Sequence, residues 1–295
     1  MLALSRKALL PLIKAALRED RARHDATSRA VLPAALRIRA RIIAKAPGIL
    51  AGVKLAALVF TTLDPSLRCR LHRRSEAVLK LGTPILTVEG RARTIFAAER
   101  TALNFLGHLS GIATLTRAFV DRARGTRARI LDTRKTLPGL RTLEKDAVRA
   151  GGGTNHRSDL AEAILIKTNH LNALRGHKSH VTSHKLIQTA VTRARRVKPR
   201  RFVEVEVTNL RELKAALAAR PDAILLDNWT VAGVRKAARL RTQLRRASLL
   251  EVSGGIALAH VRAVAKTGVD RISIGRLTHS APSLDVSLQA VQAFP

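Results

Sequence analysis

The chain has no tyrosine, one tryptophan, one methionine and one cysteine in 295 residues, and aromatic side chains make up only 2% of it. That scarcity removes the stacking platforms on which single-stranded nucleic acids are gripped. The lone cysteine, Cys69, rules out an intramolecular disulfide and a cysteine-cluster metal site, and it fits a reducing, cytoplasmic location. Long apolar runs are missing too. Arg6, Lys7 and Lys14 interrupt the N-terminal stretch, so nothing approaches the ~18 residues of a membrane span, and an amphipathic helix is expected there instead. Acidic residues are scarce, 21 against 54 lysines and arginines, for a formal net charge of +33. Such an excess ordinarily points to nucleic acid. Here the cations run from Arg6 to Arg276 without an arm or tract, so salt-sensitive, nonspecific adhesion is expected and no specific nucleic-acid partner.

What the chain does have is 46% hydrophobic residues, enough for a sizeable core in one large or two modest domains. Two regimes are legible. Up to about Ile112 a first helix, strand-like pieces (Leu36 to Ala44, Gly52 to Phe60, Ile85 to Arg91) and a long helix from near Arg93 read as an α+β unit. From about Thr126 the pattern is short apolar strand, turn, helix, repeated: ARILDT, AILIKT, FVEVEVT, DAILLDN, SLLEVSGG and DRISIGR. Near-continuous Ile/Leu/Val strands at intervals of one βα unit imply a parallel sheet covered by helices, and six such units favour an α/β barrel.

In each unit a polar residue or glycine follows the apolar run: Asp132, Lys167, Asp227, Ser253, Gly275. Barrel enzymes carry their chemistry at those strand ends. The segment from Leu131 to Leu171 gathers Arg134, Lys135, His156, Arg157 and Lys167 around Gly151-Gly152-Gly153, a cluster suited to anions, with arginine for bidentate pairing and lysine as a point charge. Ser253-Gly254-Gly255 and Ile274-Gly275-Arg276 sit at the ends of the last two strands, where glycine lets backbone N–H groups approach an anion and a following helix adds its positive end. Two such loops make a phosphate cup. Glu206 and Asp227 end successive strands and suit Mg²⁺ shared with ligand phosphates, or positive charge developing on a sugar carbon. Glu204 shares the face of Glu206, so either is a candidate. His177, His180 and His184 have helical spacing but no acidic or cysteine partner nearby, and no metal is assigned to them.

The ordered segments AERTALNFLGHLSGIATLT (98–116), DTRKTLPGLRTLEKDAVRAGGGTNHR (132–157), LIKTNH (165–170), VEVEVTNL (203–210), ILLDN (224–228), EVSGGI (251–256) and GVDRISIGRLTHSAPSLDVSL (268–288) resemble the quinolinate phosphoribosyltransferases, collinearly from roughly Leu12 to Leu288. The resemblance implies an N-terminal α/β sandwich domain, 1–112 completed by 277–295, and an open α/β barrel, 113–276, assembled as a homodimer. It implies that quinolinate and phosphoribosyl pyrophosphate, with Mg²⁺, give nicotinate mononucleotide, pyrophosphate and CO₂ in NAD biosynthesis. Residue by residue, it makes Arg100 a quinolinate contact donated across the dimer. Thr133, Arg134, Lys135, His156, Arg157 and Lys167 become the substrate pocket, Glu206 and Asp227 the metal and ribose carboxylates, and Ser253, Gly254, Gly255, Gly275, Arg276 and His279 the phosphate site. Lys135, Lys167, Glu206 and Asp227 carry the catalytic roles.

Four places depart from the family pattern. Asp146 stands where tyrosine is usual and Thr168 where aspartate is usual; Arg21 to His24 replaces a glycine-containing turn, and Ser75-Glu76 a frequent Gly-Asp. Losing the acid beside Lys167 is expected to alter that lysine's charge balance and the metal affinity. Two other readings stand beside the first: a sister phosphoribosyltransferase of the same fold with another acceptor, such as the paralogue associated with molybdate transport, or an inactive relative with a nucleic-acid-binding surface. The intact DTRKT and NHR segments favour quinolinate over the sister.

Overall fold

The computed structural model describes residues 5–176 and 182–294. In chain order its first elements are α1 (Arg6–Glu19), α2 (Ala26–Val31), β1 (Arg37–Ala44), β2 (Gly48–Ile49), α3 (Val53–Leu63), β3 (Arg68–Leu71), β4 (Val78–Leu79), β5 (Pro84–Arg91) and α4 (Ala92–Ala123). Next come β6 (Arg129–Leu131), α5 (Arg141–Ala150), β7 (Ile164–Ile166), α6 (Thr168–Arg175), α7 (Ser183–Arg195), β8 (Val203–Val207) and α8 (Leu210–Ala219). The last are β9 (Ala223–Asp227), α9 (Val231–Gln243), β10 (Leu249–Ser253), α10 (Val261–Ala265), β11 (Arg271–Ser273), α11 (Arg276–His279) and β12 (Val286–Phe294). Among the described residues no helix is long and apolar enough to cross a membrane.

The chain divides into two compact units. One runs to Arg117 and includes Thr136–Gly152 and the chain from Leu277 on; the other is Ala118–Lys135 with Gly153–Arg276. The first is built on a four-stranded antiparallel sheet in the order β12-β1-β5-β3. Along β1, Ile38, Ala40, Ile42 and Ala44 are buried and alternate with less buried residues, the period of two that puts one face on a core. Helix α1 buries Ile13 and Leu17 and keeps its cations outside, as an amphipathic helix does. Gly52 to Phe60, strand-like in the sequence, is helical instead. The apolar run GVKLAALVF has no clean period of two, and its buried Leu55, Ala56, Val59 and Phe60 follow the one-then-three spacing of a helix face. Arg21 (φ 46°) and Glu76 (φ 78°) occupy left-handed backbone in two stretches that depart from glycine-bearing family patterns. Each costs roughly 1 kcal/mol of strain.

In the second unit all six apolar runs are strands of one parallel sheet, in the order β6-β11-β10-β9-β8-β7. The end strands β6 and β7 are not joined to each other, so the barrel is open. Val203, Val205, Val207, Ile224, Leu226, Leu250, Val252 and Ile272 are all but fully buried, and outside β8, where glutamates alternate with the valines, the strands read as near-continuous apolar runs. Three of the intervening helices, α7, α8 and α9, start where a side chain caps them: Thr182 accepts from Lys185 N, Asn209 from Glu212 N and Thr230 from Gly233 N. At the N-terminal ends of the strands, buried Asp270 takes the Leu250 N–H and the guanidinium of Arg241, tying α9 to the start of β10. The sheet therefore delivers the opposite, C-terminal ends of its strands as one row of polar residues.

Candidate active site

Strand β6 runs into buried Asp132, then half-buried Thr133 and Arg134 and exposed Lys135. The Thr133 hydroxyl accepts the Lys135 N–H at 3.0 Å, the short turn that threonine favours. Thr154 bridges Leu131 in parallel, and Asp132 Oδ1 accepts the His156 N–H at 2.8 Å. The TRK and NHR stretches, distant in sequence, are thus pinned side by side. Arg157 shows the result electrostatically: burial, and then the charge of Arg134, push its pKa below the ordinary arginine value. Two guanidiniums held that close repel, and a bound anion relieves the repulsion. Lys167 ends β7, exposed, at the N-cap position of α6.

Glu204 and Glu206, equivalent by alternation, separate in depth. Glu206 is half-buried near the end of β8, where its Oε1 accepts both the Thr168 N–H (3.1 Å) and the Thr168 hydroxyl (2.8 Å). Its Oε2 makes no hydrogen bond or ion pair with a described residue. Asp227, in register with Ser253 on the neighbouring strand, accepts from Asn228 Nδ2 through Oδ2 at 2.9 Å. Each of these carboxylates keeps an oxygen without a partner among the described residues, a donor set of the hard, oxygen kind that suits Mg²⁺.

Glu204 belongs instead to a buried cluster beneath. His156 Nε2 lies 3.0 Å from Glu204 Oε2 and 3.4 Å from Glu251 Oε1, while Arg271 Nε is 3.3 Å from Glu251 Oε2 and its guanidinium lies over the Phe202 ring. The three ligand-capable groups lie within 4.8 Å of one another. Their hydrogen bonds nevertheless disfavour a metal. His156 Nδ1 accepts the Arg157 N–H at 2.8 Å, so the ring proton sits on Nε2, which then donates to Glu204 and has no lone pair for an ion. Burial alone would lower the His156 pKa, but its hydrogen bond to Glu204, the nearby Glu251 carboxylate and the charge of both raise it to about 9. The Arg157 N–H opposes a second ring proton. The extra proton is therefore shared with Glu204, whose own carboxyl is raised by burial and by Glu251. Both ring nitrogens of His156 thus have protein partners.

Ser253 closes β10, followed by Gly254 and Gly255. A Cβ on Gly254 (φ +100°) would fall 2.1 Å from Oδ1 of Asn228, whose N–H donates to the Ser253 carbonyl at 2.9 Å. The glycine is required by that contact as well as by its backbone angle. The helix expected directly after this loop starts later. α10 begins at Val261 and has five residues, because the intervening Ile256 to His260 forms a turn, so no helix end abuts the glycines. After Gly275 the single turn α11 starts at once with exposed Arg276.

The second unit thus brings together Thr133, Arg134, Lys135, His156, Arg157, Lys167, Glu206, Asp227, Ser253, Gly254, Gly255, Gly275 and Arg276 at one end of one sheet. Arg100, exposed on α4, and His279, whose Nδ1 is 2.5 Å from Ser280 Oγ, lie in the first unit. His177 and His180 fall outside the described residues; His184 is in the first turn of α7. Sequence reasoning passed over Glu251 and Asn228. For Glu251 one signal was present, an acid two residues before Ser253 inside an apolar strand; Asn228 carried none beyond following Asp227.

A parallel barrel with clustered cations, paired carboxylates and glycine loops at its strand ends defines an enzyme class that works on phosphorylated, multiply anionic substrates. Residues 25–110 match the family model of the quinolinate phosphoribosyl transferase N-terminal domain and residues 112–289 that of its C-terminal domain, and the chain belongs to this family. It is 43% identical over 279 residues to the nicotinate-nucleotide pyrophosphorylase [carboxylating] of Mycobacterium leprae, covering 94% of this chain and 95% of that one. The probable enzyme of that name from Bacillus subtilis is 40% identical over 250 residues, covering 84% and 82%. Among solved structures, NadC from Streptococcus pyogenes superposes with a TM-score of 0.89 at 36% identity, over 100% of both chains.

Proposed function

We propose that this chain transfers phosphoribosyl from phosphoribosyl pyrophosphate to quinolinate with decarboxylation, giving nicotinate mononucleotide, pyrophosphate and CO₂ for de novo NAD biosynthesis. The observation that carries the reading is the pairing, at one end of one sheet, of four cations (Arg134, Lys135, Arg157, Lys167) with the outward carboxylates Glu206 and Asp227. One substrate is a dicarboxylate, the other a phosphosugar. The cations hold the carboxylates of the first and the pyrophosphate of the second. Glu206 and Asp227 hold the ribose hydroxyls and the Mg²⁺, which when bound neutralises charge on the pyrophosphate. Ser253, the glycines after it, and Gly275 with Arg276 receive the 5′-phosphate.

The bond from C1 to pyrophosphate breaks with its electron pair leaving on pyrophosphate, and the pyridine nitrogen supplies the pair for the new N–C1 bond. Charge developing on the sugar is stabilised by the two carboxylates. The ring, now cationic, accepts the electron pair left at C2 as CO₂ departs, and a proton takes the vacated position. His156 acts by fixing the Arg157 backbone rather than by offering a ring nitrogen.

Formation of nicotinate mononucleotide with CO₂ release, assayed at moderate salt to suppress nonspecific adhesion, is the direct test. No product with quinolinate, but turnover with another acceptor, would place the chain with a sister transferase. We read the working form as a homodimer in which Arg100 completes the partner's site. Mixing Arg100→Ala and Lys167→Ala proteins, each inactive alone, should then restore partial activity through hybrids carrying one intact site. Two inactive parents that give an inactive mixture would place Arg100 in its own subunit's site. The half-buried Cys69, whose thiol pKa burial pushes up to about 11, is inert and suits a cytoplasmic enzyme.

A further inference from the structure

We infer that Thr168 is a positioning residue for the phosphoribosyl end of this site. Two donors from one residue converge on one oxygen: the backbone N–H at 3.1 Å and the hydroxyl at 2.8 Å both meet Glu206 Oε1. Thr168 is the first residue of α6, so its N–H is one of the donors that a helix start leaves without an intrahelical acceptor. The Glu206 carboxylate supplies that acceptor from the neighbouring strand, β8 beside β7. The consequence is directional. With Oε1 committed to Thr168, the carboxylate cannot swing or bind a cation through both oxygens, and it presents Oε2 alone to the ribose and its cation. The hydroxyl supplies the side-chain half of this hold, which no other described residue provides. The inference rests on the phosphoribosyl reading above, and on no particular acceptor.

The test is calorimetric binding of phosphoribosyl pyrophosphate to the full chain, with and without Mg²⁺, alongside steady-state kinetics. Thr168→Val keeps the backbone N–H and the side-chain volume and removes only the hydroxyl. It should weaken Mg²⁺-phosphoribosyl pyrophosphate binding about tenfold, the lower range for a hydrogen bond to a charged group. KM for that substrate should rise in parallel and KM for quinolinate stay within about twofold. Thr168→Ser should restore the affinity. Thr168→Val with unchanged affinity, equal losses toward both substrates, or Thr168→Ser as weak as Thr168→Val would each overturn the assignment. Parent protein that binds phosphoribosyl pyrophosphate but makes no nicotinate mononucleotide would fail the acceptor assignment and leave this comparison interpretable.

Discussion

Lys167→Ala and Arg134→Ala should each lower kcat/KM by roughly three orders of magnitude while the protein stays folded, the scale set when a single charge-stabilising donor is removed from a reacting site. Lys167 is exposed and makes no ion pair among the described residues; its backbone N–H, which the substitution keeps, donates to His170 Nδ1. Truncation therefore removes a charge and little packing, and the melting temperature should move by no more than about 2 °C. For Arg134 the expectation is sharper. Its charge is one of the two influences that depress the Arg157 pKa, so removing it relieves a like-charge repulsion in the empty site, and the melting temperature should hold or rise. Activity and stability measured together separate these roles. Near-normal turnover in both variants would show that the pocket has been assigned to the wrong residues; lost turnover with a collapsed melting temperature would make the residues structural.

Glu251→Ala should be the most destabilising of the single substitutions considered, by about 3–5 kcal/mol, because it strips a fully buried carboxylate from the Arg271 guanidinium and the proton-sharing His156–Glu204 pair and leaves Arg271 facing a cavity. On a domain of this size that corresponds to a fall in Tm on the order of 10 °C. Glu251→Gln keeps the volume, should cost less, and exposes the pH dependence. The His156–Glu204 pair binds its shared proton more tightly in the folded chain than in the unfolded one: His156 is raised from 6.5 to about 9, and Glu204 is shifted in the same direction. The stability that this shared proton contributes is thus fully present below about pH 6.5 and lost as pH rises through about 9. Removing the Glu251 charge takes away part of the cause. Between pH 6.5 and 9.5, Tm of the parent should fall relative to that of Glu251→Gln; parallel curves would mean that the cluster takes up no extra proton on folding.

Much of the barrel could be read in the chain because its strands are buried on both faces. ILL and ILI need no alternation to be recognised, VEVEV alternates although Glu204 is as buried as its valines, and the polar residue ending each run marks where the strand emerges. The same property misled at Gly52 to Phe60, where a continuous apolar run belongs to a helix packed into the core of the first unit. Strand β12 was not read as a strand at all: five of its residues are exposed and its VSLQAVQAF pattern is weak, so what defines it is pairing with β1 far away in sequence. In the site, residue types and strand ends were legible, whereas depth was not. Nothing local distinguishes Glu204 from Glu206. The difference is made by His156 reaching the first and Thr168 the second, contacts set by which strands become neighbours. The glycines of Ser253-Gly254-Gly255 were attributed to anion approach and a helix end, but the contact requiring Gly254 is with Asn228, on a loop from another strand.

The open seam of the parallel sheet divides the site mechanically. Glu206, Asp227 and Ser253 stand on β8, β9 and β10, each hydrogen-bonded to strands on both sides. Among the described residues, Lys167 leaves β7, which has a sheet neighbour on one side only, and Thr133, Arg134 and Lys135 leave β6, whose outer edge is covered by the single bridge at Thr154. Backbone amides near the seam should exchange with solvent sooner than those of the central strands, since fewer ladder bonds must break to free them. One wall of the site is accordingly stiff and the other compliant. On the proposed assignment, the sugar and its phosphates would meet a surface already formed, while the cations proposed for the dicarboxylate would ride on edge strands with room to shift as that ligand arrives and as its carboxyl group leaves.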